Sequence, residues 1–455
     1  MRNNVWKIHF LAWTNGIVVL LILAWMLFAF RTNRIFTKYV SEAQVFVDTI
    51  SGNVPENRTN SSVLELKALV ADLGIDWENN VDPDSDVSIS QQGGVLWQNA
   101  YSQIANYVHY VYASNPEGYG SRENPDRVAD LFFPEIEDRS EAQSYIVLNR
   151  ETLSNIRDLT SESQETDSRM FDANLDYTNR RTINTLVNVV MFEILYSLYR
   201  QESDSQDLTM ANLQLIGQLY ADIDTQSSRL VSFQMYSDLD RTLVQFIRNL
   251  DDLPDDWDDR LPFLKLDRQA LFLESLKLDV ARYIYSLDNP NTEESSNNAL
   301  ERFLFAVRKP YLSWIAMDVW KTRNRIDDRL QNTDFCTVDP ETLKTYNNPD
   351  LQLSGWNPYG DTTIVSWLEM GELELQWELT EKVQQVKAVA RKQEKFPDTI
   401  PGIETSMCEE SRWNYQVNAD GTATVSLENI PPALKLSRRD VSWTYTIALP
   451  SSTVN

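Results

Sequence analysis

Residues 11–30, LAWTNGIVVLLILAWMLFAF, form an uncharged, largely apolar stretch of the length a helix needs to cross roughly 30 Å of hydrocarbon. Trp6, Trp13 and Trp25 lie near its two ends, and Arg31, Arg34 and Lys38 follow it, so aromatic rings and basic heads stand where headgroups would be. A cleaved signal peptide is the competing reading, but its apolar region would run about 7 to 15 residues into a small-x-small site. Here bulky Met26, Leu27, Phe28 and Phe30 lead straight into Arg31. We read the stretch as a membrane anchor, with residues 1–10 as a tail and everything after residue 30 as a water-facing body.

Orientation is not set by charge, because Arg2, Lys7 and the α-amino group on one side balance Arg31, Arg34 and Lys38 on the other. A very short flank ahead of a long folded body is expected to stay in the cytoplasm. That gives a single-pass protein of a cytoplasmic-type (inner) membrane, in contact with lipid through residues 11–30 and with most of the chain extracytoplasmic.

The body is large enough for two or three domains of ordinary size, and 42% hydrophobic with 11% aromatic residues supplies a substantial core. The net charge of −26 repels nucleic acid and anionic lipid headgroups, so nucleic-acid binding is not expected, and it favours solubility or contact with cations and basic partners. The two cysteines, Cys336 and Cys408, both fall in the last third of the chain. Outside the cytoplasm they would form one disulfide; the alternative is two unrelated buried thiols. Asn57-Arg58-Thr59 and Asn60-Ser61-Ser62 fit a glycosylation sequon too short to carry weight.

Beyond the anchor, Ile35, Phe36, Tyr39, Val40, Ala43, Val47 and Ile50 recur at helical spacing, so the membrane helix is expected to continue as a stalk, with stalk and linker together spanning 31–62. Residues 63–335 read as an antiparallel helical body, with the aromatic helix 95–113 and the periodic segments 208–250, 267–287 and 298–330. Within it, 183–199 (INTLVNVVMFEILYSLY) is the second most apolar stretch. It is short and carries Asn184, Asn188 and Glu193, which favours a core helix over a second span.

Residues 336–455 read as a small α+β module: a long helix over 363–395, then β-formers at 413–417, 422–427 and 441–449, with Ala419-Asp420-Gly421 as a hairpin turn. A long helix, Phe396-Pro397, a loop and a short sheet resembles the C-terminal layout of type II secretion pseudopilins over a small part of the chain. The pilin N-terminal motif is missing and the helix stands far from the anchor, so the resemblance implies no function. The fold class expected is therefore mainly α, with an N-terminal transmembrane helix, an antiparallel helical body and a short antiparallel sheet.

Candidate chemistry is sparse. The two histidines, His9 and His109, are too far apart in character for a triad or metal cluster, and His109 reads as an ordinary helix residue. Asp251, Asp252, Asp255, Asp256, Asp258 and Asp259 around Trp257 offer hard oxygen ligands but fit a solvated interhelix loop better. Asp82, Asp84 and Asp86 begin like a calcium loop, yet Val87 stands where the turn glycine belongs. Glu135 and Glu137, after Pro134 and beside Phe132 and Phe133, could form an acid pair in an apolar pocket, or simply an acidic helix start. No phosphate loop, nucleophile elbow or dinucleotide fingerprint occurs.

We expect no catalytic, cofactor or metal residues, and name Trp356, Trp413 and Trp443 as candidate partner-binding aromatics. The function expected is a non-enzymatic scaffold or accessory subunit of a membrane or envelope complex that binds a protein partner. The alternatives are an extracytoplasmic ligand-sensing module and a carboxylate-dependent hydrolase of envelope polysaccharide.

Overall fold

The computed structural model describes residues 2–51, 61–75, 94–113, 136–165, 177–200, 202, 204–224, 240–241, 243–248, 250, 253–254, 256–261, 267–288, 299–346, 360–436 and 442–448. It is mainly helical and ends in a three-stranded antiparallel sheet. The chain divides into two compact units that interleave in sequence: 1–54, 273–333 and 344–361 form one, while 55–272, 334–343 and 362–455 form the other. Helices distant in sequence share a unit, so this division cuts across the sequence boundaries at 62/63 and 335/336.

In the first unit α1 (Arg2–Ser51) is one unbroken helix of 50 residues. Proline is absent from it and Gly16 is its single glycine, so nothing interrupts the hydrogen-bond ladder. Among the described residues it is the helix long and apolar enough to cross a membrane, with a mean hydropathy of 2.1 over its most apolar window and none of that window buried. Its second half is not a free stalk. Phe36 and Ala43 are buried, with Tyr39, Val40, Phe46 and Val47 partly so, against Val280, Ala281, Ile284 and Leu287 of α7 (Arg268–Asp288) and Ala316, Met317 and Trp320 of α8 (Ala299–Gln331). The spacing of three and four that predicts a helix here is a packed face in a three-helix cluster.

In the second unit, α3 (Gly94–Ala113) packs on α4 (Ser140–Glu165) and α5 (Tyr177–Arg200), α2 (Ser61–Asp72) packs on α4, and α6 (Ser205–Asp224) packs on α4 and α5. Helix α2 stops because Gly74 takes φ of 80°, letting the Ile75 amide reach back to the Val70 carbonyl. Helix α5 is buried nearly all round, from Ile183 and Leu186 through Phe192 and Leu195, as a central core helix should be. The second apolar stretch of the sequence is thus an internal helix.

After the short helix α9 (Pro340–Tyr346), α10 (Gly360–Gln393) is the spine of the C-terminal part, burying Trp367, Leu368, Met370, Leu373, Trp377, Val383 and Val386. After it come β1 (Arg412–Val417), β2 (Ala423–Glu428) and β3 (Thr444–Ile447), in the order β1-β2-β3, with Trp413 opposite Leu427 and Val425 opposite Tyr445. The expected hairpin turn is present. Gly421 takes φ of 85°, and the Asp420 carboxylate accepts bonds from the Thr422 amide and hydroxyl, which hold its pKa below the ordinary range.

Gly371 gives a testable consequence. In an exposed helix interior, Gly→Ala gains about 1 kcal/mol of stability. Here an added Cβ would stand 2.4 Å from the Phe335 ring, which is itself buried and edge-on to Trp367 at 6.0 Å between centroids. Gly371→Ala is therefore expected to destabilise by about 1–3 kcal/mol, as a fall in the urea midpoint at unchanged slope. A neutral or stabilising result would show that Phe335 moves aside at little cost.

Candidate functional site

The densest buried polar chemistry gathers along α10. Arg268 opens α7 and is 1% exposed. Its guanidinium donates to both oxygens of Asp240 at 2.5 and 3.3 Å, and lies 5.4 Å from the centre of the Trp377 ring. The Trp377 indole N–H donates to the same Asp240 carboxylate at 2.8 Å, and the Arg268 amide donates to Glu374 at 2.9 Å. Three chain segments meet at one charge pair whose donors and acceptors are matched.

One helical face further along, Gln376, Thr380, Gln384, Lys387 and Arg391 follow one another at intervals of three or four. Arg248 donates to the Thr380 hydroxyl and to the Gln376 carbonyl and side-chain oxygen. Burial pulls its pKa down to about 10. Gln384 donates to the Ile247 and Leu250 carbonyls, Lys387 to those of Arg248 and Leu250, and Arg391 to that of Leu253. These carbonyls lie at and just past the end of the helical segment 243–248, where the backbone ladder gives out; the Ile247 carbonyl also accepts from the Leu250 amide. The row is a cap supplied by a neighbouring helix.

In the helical array, Glu193 of α5 is fully buried and accepts from Arg157 of α4 at 2.6 Å and from Asn212 of α6 at 2.9 Å. Burial raises its pKa, with Arg157 opposing. In the first unit, Asp327 and Arg323 form a buried pair at 2.6 Å, and burial raises Asp327 to about 6 against the pull of Arg323 and Lys277. Each of these charges is matched to a neighbour on another helix or one turn away, which makes them joints of the fold.

Glu374 is half-buried, and desolvation lifts it to about 7 against the opposing charge of Arg268. A carboxyl whose folded pKa is raised contributes stability below its unfolded pKa and loses it as pH climbs toward the folded value. Glu374→Gln keeps an acceptor for the Arg268 amide without the charge. We expect it to leave urea stability nearly unchanged at pH 5 and to raise it at pH 8 relative to the wild type. An identical gain at both pH values would mean that Glu374 is ionised throughout.

The structure brings Cys336 and Cys408 together, with 2.03 Å between sulfurs and 5.2 Å between Cα atoms. Side chains of α10 hold the loop that carries Cys408: Lys382 donates to the Gly402 carbonyl and Thr405 hydroxyl, and Glu378 accepts from the Ser406 hydroxyl and Met407 amide. Trp413 is 1% exposed and Trp443 9%, so core packing takes up both rings and little of either is offered to a partner; Trp356 lies outside the described residues.

Glu137 is exposed and accepts from the Tyr199 hydroxyl at 2.9 Å, while Glu135 and the His109 side chain lie outside the described residues. Of the aspartate group near Trp257, Asp256 and Asp259 are exposed and Trp257 is buried; Asp251, Asp252 and Asp255 are outside the described residues. Among the described residues, no three His, Cys, Asp or Glu side chains stand close enough together to hold a metal ion.

Sequence reading missed the Asp240–Arg268 pair and the polar row on α10. The row had a signal, polar residues at helical spacing, but on its own that pattern describes a solvated face equally well. No protein-family model matches the chain, and neither the curated proteins nor the solved structures contain a match. What the fold and its polar centres define is a class: a mainly helical chain with one N-terminal helix fit to span a membrane and one disulfide-distance cysteine pair.

Proposed function

We propose that the chain is a single-pass, membrane-anchored scaffold or accessory subunit whose body, outside the cytoplasm, holds a protein partner. The observation that carries the reading is α1. One unbroken helix is apolar and exposed over residues 13–27 and then packs its second half into a helical core. An anchor built this way is rigidly joined to the first folded unit, which suits a subunit that must hold a partner at a set place above a bilayer. The cysteine pair supports an oxidising compartment, and a net charge of −26 favours a partner with a basic face.

The test has two parts. Arginine at Leu20 and Ile22 costs about 2.5–3.5 kcal/mol per residue at the centre of a span, so the double variant is expected to leave the membrane fraction while the wild type stays. Retention of the variant would refute the anchor. Purification of the intact wild type from its native membrane in mild detergent should then bring down a stoichiometric membrane or envelope protein. Release of that protein by salt would match the acidic charge, and a wild-type chain that purifies alone would overturn the scaffold role.

A further inference from the structure

The three-helix cluster of the first unit fixes the direction of α8. The Lys277 ammonium lies 4.7 Å from the centre of the Phe46 ring and also acts on Asp327, while the Lys321 ammonium lies 5.3 Å from the Tyr39 ring. Moving back along α1 from Phe46 to Tyr39 therefore matches moving back along α8 from Asp327 to Lys321. The two helices run parallel. About two turns further back both helices still carry a buried polar residue, Thr32 at 4% exposed and Ser313 fully buried.

Before Ser313, α8 still runs back to Ala299, about 20 Å at roughly 1.5 Å per residue. That arm lies toward the end of the unit from which the exposed apolar stretch of α1 emerges. On it, Leu304, Val307 and Tyr311 are 40%, 42% and 47% exposed and recur at intervals of three and four, a single apolar stripe. Arg308 beside them is exposed, Lys309 is half-exposed, and Arg31, Arg34 and Lys38 are exposed on α1. No acidic residue occurs in α1 before Glu42, nor in α8 between Arg302 and Met317. In a chain of net charge −26, α1 and α8 are basic at this level, beside the single acidic residue Asp288 that ends α7.

We infer that the N-terminal arm of α8 is a second membrane contact, lying in the interface beside the span. Leu304, Val307 and Tyr311 enter the acyl boundary, while Arg308 and Lys309, with Arg31 and Arg34, meet anionic phospholipid headgroups. Glu301, Arg302, Arg308 and Lys309 within so short a segment exclude a second crossing. Basic heads on long stems suit the interface, where they reach the headgroups as the stripe faces the acyl chains. Continued straight from the level of Thr32 and Ser313, the arm would run beside the span itself, so the inference includes a turn away from α1 at Pro310, which removes the amide that would bond the Ala306 carbonyl. Two attachments would fix the tilt and rotation of the first unit at the bilayer.

The inference rests on the membrane-anchor reading, and the test separates the two. A single nitroxide-labelled cysteine is placed at Ile22, Leu304, Val307, Tyr311 or, as a water-facing control, Val147, which is 55% exposed. The full chain, with Cys336 and Cys408 oxidised, is reconstituted in vesicles of phosphatidylcholine and phosphatidylglycerol. Collision with oxygen and with a water-soluble nickel chelate is then read at each site. The expected result is oxygen access with severalfold lower nickel access at 22, 304, 307 and 311 than at 147. A lipid-like signal at 22 with a water-like signal on the stripe overturns the arm and leaves the anchor standing. A water-like signal at 22 removes the anchor and the arm with it. Low access of both reagents on the stripe means that protein covers it, which also overturns the inference.

Discussion

Replacing Cys336 and Cys408 together by alanine is expected to lower the unfolding free energy of the second unit by about 4 kcal/mol, from the chain-entropy cost of freeing a loop of this length. The two residues are 72 apart in sequence, and both belong to that unit although a segment of the other unit is threaded between them. The bond pins the short segment 334–343 to the loop after α10. Within that segment Phe335 and Leu343 are buried, and the Asp334 carboxylate, accepting from the Cys336 amide and the Thr337 hydroxyl, shapes its first turn. The check is urea unfolding of the wild type with and without reductant beside the double variant. Reduced wild type and variant should coincide below the oxidised protein. If wild-type protein isolated without reductant reacts at two thiols, the bond is not formed in its native compartment and the argument for an oxidising location falls.

How far such features could be read beforehand depends on whether their cause is local. The long apolar N-terminal helix, the hairpin at Ala419-Asp420-Gly421 and the long helix carrying Trp367 and Trp377 are each written in a contiguous stretch, because apolar length, turn chemistry and helical period are local properties. The packing partner of α1 was not legible. Phe36 and Ala43 announce a buried face, but nothing nearby says that it will meet Ile284 and Trp320, more than two hundred residues away. The two units interleave in sequence for the same reason: the contacts that build them join distant segments.

The polar centres were hidden by a different ambiguity. Glu193 weighed against a second span, yet its pairing with Arg157 and Asn212 depends on three helices meeting. Gln376, Thr380, Gln384 and Lys387 look like a wet face until the Arg248 guanidinium is set against the first two and the carbonyls of residues 247–250 against the others. Conversely, Trp413 and Trp443 suggest a binding surface by type alone, and burial in the sheet module assigns them to packing. Charge and aromaticity state what a residue can do; only the fold states which of those uses the neighbours leave open.

Arg268→Met is expected to cost about 3–5 kcal/mol, the second of the two largest effects. The buried Asp240 carboxylate, 4% exposed, would keep only the Trp377 indole N–H among the partners described for it. Asp240→Leu should cost a similar amount by stranding the guanidinium over Trp377. The informative variant is the double one. With both charges gone and apolar volume kept, the desolvation penalty disappears along with the attraction, so the double change is expected to cost less than either single one. Such a cycle, read from urea midpoints, would mean that the pair contributes little net stability, and that its role is to fix which segments meet: the start of α7, the spine of α10 and the chain at residue 240. Additive costs would show instead that Asp240 and Arg268 act independently, with enough solvent reaching each to replace the other.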